Sequence, residues 1–296
     1  MRRVIAHLVG GIGNQLFIYA AAWAFAQRNN LELLLDVSAF PRDAFSRRTY
    51  ALGYFKLGDV TLIDDPRSAD VIRQRYDRYR RKFPRMPPRL GPILGESNHL
   101  QCEPLTVSAP IRLFPTIYVL GYRQNEQYFA DQSVGLRRKL EFTFDPSIQA
   151  RRRAEEILEC NAVAVHFRQL HQVPSGETRP NARIRQLDKA YYAEAIDTMR
   201  KRVPDARFFC FGDSLANIDR FIALDPDIVI PAPTGDDPAD ICDLWLMTKC
   251  RHFIISNSTF GWWAAWLGSQ PDSIVFCPDT RGFENGISPV RGWVVI

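Results

Sequence analysis

The chain has 296 residues, 46% of them hydrophobic, with no low-complexity tract and no repeat at a solenoid period, so it can bury one large core or two ordinary ones. Lysine and arginine exceed aspartate and glutamate by 38 to 33, an excess spread too evenly to define a nucleic-acid binder. The cysteines Cys102, Cys160, Cys210, Cys242, Cys250 and Cys277 form no CxxC pair and several fall in apolar patterns, which points to buried free thiols in a reducing compartment, without a zinc site.

The N-terminus, MRR followed by VIAHLVGGIG and AAAWAFAQ, imitates a secretory signal, but Asn14 and Gln15 interrupt it. The apolar blocks there reach only about half of a membrane-spanning length. The expectation is a cytoplasmic chain without targeting segment or anchor. RVIAHLV (3–9) reads as a strand, NQLFIYAAAWAFAQRNN (14–30) as a helix and LELLLDV (31–37), which contains Asp36, as a second strand. Regularity is then lost over residues 58–110, which hold a basic, proline-rich segment. It returns as a strand IRLFPTIYVL (111–120) and a helix NEQYFADQSVGLRRKL (125–140). From residue 162 the alternation is clean: strand AVAVHF, helix LDKAYYAEAIDTMRKRVP, strand RFFCF, helix LANIDRFIAL, strand DIVIPA, helix ADICDLWLMTKC, strand HFIIS, helix TFGWWAAWL and strand SIVFCP. Such alternation gives parallel sheets covered on both faces, with ligands at the carboxyl ends of the strands. Two α/β domains are expected, residues 1–145 and 146–296, with a cleft between them.

Four stretches carry chemistry in this layout. The turn holding Gly11, Gly13, Asn14 and Gln15 joins a strand to a helix, where backbone amides can hold an anion. It lacks the GK[ST] ending of a Walker A loop. Gly11, Gly13 and Asp36 fit part of a dinucleotide fingerprint, which keeps an NAD-dependent oxidoreductase open, but Leu16 stands where the third glycine belongs. A tight turn without ligand is an equal reading. His166 and Arg168 share one strand face at the start of a long polar loop, and a guanidinium there suits a phosphate; an exposed salt bridge is the plainer alternative. Asp213 and Ser214 lie between a strand and a helix, as cap residues or ligand groups according to their neighbours. In CRHFIISNSTFGWWAAWLG (250–268), Asn257, Ser258 and Thr259 set small polar side chains and free amides at a helix start, while Trp262, Trp263 and Trp266 read as packing.

Read together with YALGYF (50–55), LGYRQNEQYF (120–129), VHFR, DKAYYAEAI, CFGDS and LWLMTKCRHFIISNSTFGWWAAWL, the opening GGIGNQLFIYA makes the chain resemble, nearly end to end, the family 11 glycosyltransferases, the α-1,2-fucosyltransferase group that uses GDP-fucose. The resemblance implies a GT-B architecture: two Rossmann-like domains, the N-terminal one (1–145) on the acceptor side and the C-terminal one (146–296) binding the nucleotide sugar. It also implies inversion at the sugar carbon, a GDP-sugar and a galactoside glycan as substrates in bacterial surface-glycan assembly, and neither metal nor further cofactor. Asp225-Pro226-Asp227, the only tempting D-x-D pair, reads as a proline turn. Catalytic roles fall to Arg168, His166 and His171. Nucleotide-sugar binding falls to Gly11, Gly13, Asn14, Gln15, Asp213, Ser214, Asn257, Ser258, Thr259 and Phe260. The chain departs from the family's pattern of HxR, a basic residue, glycine and aspartate: His171 stands at the aspartate position of His166-Phe167-Arg168-Gln169-Leu170-His171. A neutral His171 is then the expected base, and a GDP-sugar other than GDP-fucose is an alternative donor. The altered motif also leaves room for an inactive nucleotide-sugar- or glycan-binding protein. Residues 73–89 carry eight basic side chains against Asp77, with Tyr76, Tyr79 and Phe83 interleaved; a solvated helix face is the plain reading, peripheral contact with an anionic membrane the alternative.

Overall fold

In the computed structural model, which describes residues 2–42, 48–58, 60–83, 89–96, 105, 114–168, 187, 189–212, 215–220, 222–231, 237–281 and 287–296, the chain divides into two units, Met1–Thr143 and Phe144–Ile296. The first unit opens with β1 (Arg3–His7), α1 (Ile12–Asn29) and β2 (Glu32–Asp36). From Ile12 to Ala26 every residue of α1 except Asn14 is buried, so this helix is covered on all sides rather than on one stripe. It stops at Asn30, whose left-handed backbone (φ 50°) returns its N–H to the last turn. Then come β3 (Thr61–Ile63), α2 (Pro66–Lys82), a hairpin of β4 (Arg89–Leu90) and β5 (Ile93–Leu94), β6 (Thr116–Val119) and α3 (Ser133–Lys139). Among the described residues the strand order is β3-β2-β1-β6-β5-β4, parallel except for the β4–β5 pair. Strand order therefore reverses between β1 and β6, and a crevice opens there outside the carboxyl ends.

The second unit holds α4 (Ile148–Leu158), β7 (Asn161–Phe167), α5 (Lys189–Arg202), β8 (Ala206–Gly212), β9 (Ile228–Val229), α6 (Ala239–Met247), β10 (His252–Ile254), α7 (Thr259–Gly268), β11 (Val275–Cys277) and β12 (Val294–Val295). Its described strands run β12-β11-β10-β7-β8-β9, with every described pair parallel. Read from the β9 edge this is the doubly wound order, with the switch between β7 and β10. Val163, Val165, Phe208, Cys210 and Ile254 from the strands pack with Tyr192, Ile196 and Met199 of α5 in one core.

Several expected elements are corrected. The helix expected over 125–140 is continuous only from Ser133: two 3-10 turns precede it, because the Asn125 side chain accepts from Gln127 N (2.9 Å) and the buried Phe129 takes a non-helical φ of −140°. LANIDRFIAL is described as a 3-10 turn over Leu215–Arg220; beyond it Ile222 is buried in the core, and the run ends in exposed Leu224 before Asp225-Pro226. The strand expected over 111–120 is described from Thr116 to Val119, its first residues lying outside the described set. The irregular basic segment contains α2, and the domain boundary contains α4, whose inward face is only Ala150, Ala154 and Ile157, capped by Ser147. Along α2 the aromatic stripe runs Tyr76, Tyr79, Phe83, with Tyr76 buried inside the first unit rather than turned outward. The five described cysteines are free thiols, and no helix of the described residues is long and apolar enough to cross a membrane.

Candidate functional site

The switch point of the second sheet gathers the residues the sequence singled out after β7 and β10. His166 is 2% exposed, and its Nδ1 lies 2.8 Å from the hydroxyl of Ser256, which follows β10. Its ring stacks on Phe260 in the first turn of α7, centroids 5.4 Å apart at 22°. Burial, and then the charge of Arg168, push the imidazole down to about 3, so it is neutral at physiological pH. His166 thus fastens β7 to the start of α7 across the crevice. Arg168, half-buried, stands immediately beyond the end of β7.

Ser258 caps α7: its hydroxyl accepts from Phe260 N at 3.3 Å, so the side chain expected to bind ligand also sets where the helix begins. Thr259 and Phe260 form the first turn, and Asn257, 6% exposed, sits just ahead of it. Arg168 and this helix start thus stand beyond the two strands that flank the switch, and a guanidinium and the free amides of a helix N-terminus are groups of the kind that hold an anion. Two glycines are steric requirements of the site. A Cβ on Gly261 would lie 2.7 Å from His166 Nδ1, and one on Gly212 (φ +151°) 2.1 Å from Phe167 O. Trp262, Trp263 and Trp266 are buried, packed on one another and on Trp293, in the scaffold role the sequence suggested. His171, Asp213 and Ser214 lie outside the described residues. Asp225 and Asp227 both bind Arg200 (2.8 and 2.7 Å), which accounts for that acidic pair.

The glycine turn stands in the first unit. Gly10 (φ +78°) makes the bend, and a Cβ there would meet the Asn14 side chain at 2.6 Å. Gly11 precedes α1 without a side-chain cap, and the guanidinium of Arg48 lies 3.8 Å from where its Cβ would be. Gly13 is buried in the first turn of α1. Gln15, expected to bind the nucleotide sugar, has its amide engaged with the backbone, donating to Gly10 O and Thr49 O and accepting from Ala51 N, each at 2.9 Å. Asn14 accepts from Gln124 at 2.9 Å. LGYRQNEQYF is explained in the same way. Gly121 (φ +106°) and Arg123 (φ 56°) form a bend, and the buried guanidinium of Arg123 donates to the carbonyls of Leu94 and Leu120, both at 3.0 Å. Glu96 accepts from Tyr122 N at 2.8 Å.

Sequence reasoning missed Ser256, Gly261 and, in the first unit, the pairing of His7 with Asp36, an acid it had read only as part of a dinucleotide fingerprint. Their Cα atoms are partners in the β1–β2 register, and Nδ1 lies 2.8 Å from Oδ2. Burial would raise the Asp36 carboxyl, but the bonds from His7 and from Ser38 N hold it below the usual carboxylate range. The signal available was their shared position at the ends of two consecutive parallel strands.

The sequence model described as glycosyl transferase family 11 matches residues 107–284, more than half of the chain. The chain is 28% identical over 298 aligned residues to an alpha-1,2-colitosyltransferase of Escherichia coli, covering 96% of this chain and 93% of that one. It is 25% identical to the O-antigen biosynthesis glycosyltransferase WbnK of Escherichia coli, with 92% of each chain covered. Among solved structures, the NodZ alpha-1,6-fucosyltransferase soaked with GDP-fucose aligns at a TM-score of 0.50 over 93% of this chain and 94% of that chain, at 18% identity, a likeness of fold. The architecture is GT-B-type α/β, as the sequence suggested.

Proposed function

Since the chain belongs to glycosyl transferase family 11, we propose that this glycosyltransferase moves L-fucose from GDP-fucose to a hydroxyl of a galactoside-type glycan, in α-1,2 linkage and with inversion, in the assembly of a bacterial surface glycan. The observation that carries the reading is the crevice at the β7–β10 switch, where the 2.8 Å His166–Ser256 contact fixes the ends of both strands beside Arg168 and the start of α7. As the glycosidic bond breaks, its electron pair leaves with GDP and negative charge grows on the diphosphate. Arg168 and the amides around Asn257, Ser258 and Thr259 meet that charge with preorganised donors. The acceptor oxygen forms the new bond from the opposite face, which inverts the sugar carbon. His166, interior and neutral, positions Arg168 and α7 rather than exchanging a proton.

A second donor is favoured by one specific finding. The relative aligned over nearly its whole length is named for colitose transfer, in the same α-1,2 linkage, so a GDP-linked colitose stands beside GDP-fucose. The surface-glycan setting rests on the relative named for O-antigen biosynthesis. Titration calorimetry of the full chain with GDP, UDP and NAD tests the reading. GDP is expected to bind best, and Arg168→Ala to weaken it at least about tenfold, the scale of one lost charge-assisted contact. Equal affinity for GDP and NAD, or GDP affinity indifferent to Arg168, would remove the diphosphate from this crevice.

A further inference from the structure

The basic surplus of the chain is not spread evenly. Helix α2 carries seven basic side chains against Asp70 and Asp77, a surplus of five in 17 residues, and the whole chain, at 38 against 33, has the same surplus. The remainder is balanced, and no step of sugar transfer uses this helix.

Packing decides which way α2 faces. Tyr76 is buried against Gly95, where a Cβ would collide with its ring, and its hydroxyl donates to Glu96 O at 3.5 Å. The far side of the helix is left to solvent. Val71, Arg75, Arg78 and Lys82, spaced by four, three and four residues, share one face there and are all exposed. Neither acid lies on that face: Asp77 stands four residues from both Arg73 and Arg81, the spacing of ion pairs within a helix. Among the described residues no ion pair engages Arg75, Arg78 or Lys82.

Apolar side chains accompany these charges. Val71 is 48% exposed, and Phe83, which extends the helix through its N–H to Tyr79 O (2.8 Å), is 44% exposed. Lys82 Nζ lies over the Phe83 ring, 5.5 Å from its centre. Cations set between an exposed aliphatic side chain and an exposed ring match the boundary of a bilayer, where headgroup phosphates meet acyl chains. A nucleic acid would take the cations but gains nothing from Val71, and a chain balanced outside one helix offers no further basic surface for a long polyanion to follow.

We propose that α2 is a docking face for an anionic lipid bilayer, with Arg75, Arg78 and Lys82 at the headgroup phosphates and Val71 and Phe83 entering the interface. Each such cation contributes about fivefold to partitioning, so the three together contribute about 10²-fold.

Flotation of the full chain with vesicles of phosphatidylcholine, alone or mixed with phosphatidylglycerol, tests this without a sugar donor, so its outcome is independent of the transferase reading. The wild type should float with the mixed vesicles only. It should lose that binding between about 0.1 M and about 1 M salt, as the Debye length shortens from about 10 Å to about 3 Å. The triple variant Arg75→Gln, Arg78→Gln, Lys82→Gln should bind about 10²-fold more weakly. Arg138→Gln, Arg152→Gln, Lys201→Gln, an equal charge change at exposed positions outside α2, should stay within about threefold of the wild type. The tryptophan of Phe83→Trp should be quenched by brominated acyl chains beyond the level of the wild type. Unchanged thermal midpoints show that the variants are folded, and the lipid and salt dependence of the wild type needs no variant. The proposal is overturned if the wild type does not float with the mixed vesicles, or if the variant outside α2 loses as much binding as the α2 variant. It is equally overturned if Phe83→Trp shows no added quenching while a single-stranded oligonucleotide binds more tightly than the vesicles.

Discussion

His166 is neutral in the fold, its imidazole pushed down to about 3 by burial and then by Arg168, against an ordinary value of 6.5. As pH falls below about 6.5 the unfolded chain takes up a proton that the folded chain does not, so stability is lost in that direction, down to the folded value. Between pH 7 and pH 5 linkage gives a loss of about 2 kcal/mol from this residue, nearly independent of how far below 5 the folded value lies. Urea unfolding of the wild type and of His166→Gln at the two pH values isolates it. Asp243 acts in the opposite sense: burial, and then Asp240, raise its carboxyl to about 6, so its contribution shrinks as pH rises through that range. It is present in both proteins and cancels in the difference. The wild type should lose about 2 kcal/mol more than the variant on acidification. A difference under about 0.5 kcal/mol would mean that the ring is hydrated in the folded state, and the crevice would lose its fastened floor.

Arg168→Ala should lower kcat by about 10² to 10³, the usual effect of removing one charge-stabilising donor, and unchanged turnover would place the diphosphate elsewhere. Gly261→Ala should cost about 1–3 kcal/mol, because its new methyl group would stand 2.7 Å from His166 Nδ1; a thermal midpoint equal to wild type would contradict the close approach. Gln15→Leu leaves Gly10 O, Thr49 O and Ala51 N without their amide partner and should cost about 2–4 kcal/mol in urea unfolding. A cost below about 1 kcal/mol would contradict a structural role for its amide.

Much of the second unit was legible because buried parallel strands such as Val163–Val165 and Phe208–Cys210 are uninterrupted apolar runs with helices between them. Helix α4 was not, since three small or aliphatic residues, Ala150, Ala154 and Ile157, are its whole buried face amid charged side chains. The NSTF stretch was readable as a helix start from composition alone, but the partner of His166 was not. Ser256 lies 90 residues away and meets it only because β7 and β10 are neighbours in the sheet. The His7–Asp36 pair was hidden for the same reason, its two members 29 residues apart and joined by strand register. The structural part of Gln15 was not legible either, because its amide ties the segment around Thr49 and Ala51 to the turn from more than thirty residues away.

The most direct test is turnover by the full chain on a donor panel of GDP-fucose, a GDP-linked colitose, GDP-mannose and UDP-galactose, with a β-galactoside acceptor and the product linkage read by NMR. The expected result is transfer from a GDP-deoxysugar alone, with the new bond at the 2-hydroxyl of the galactoside. Transfer from UDP-galactose, or no transfer from any GDP-sugar by protein that binds GDP, would contradict the proposed function.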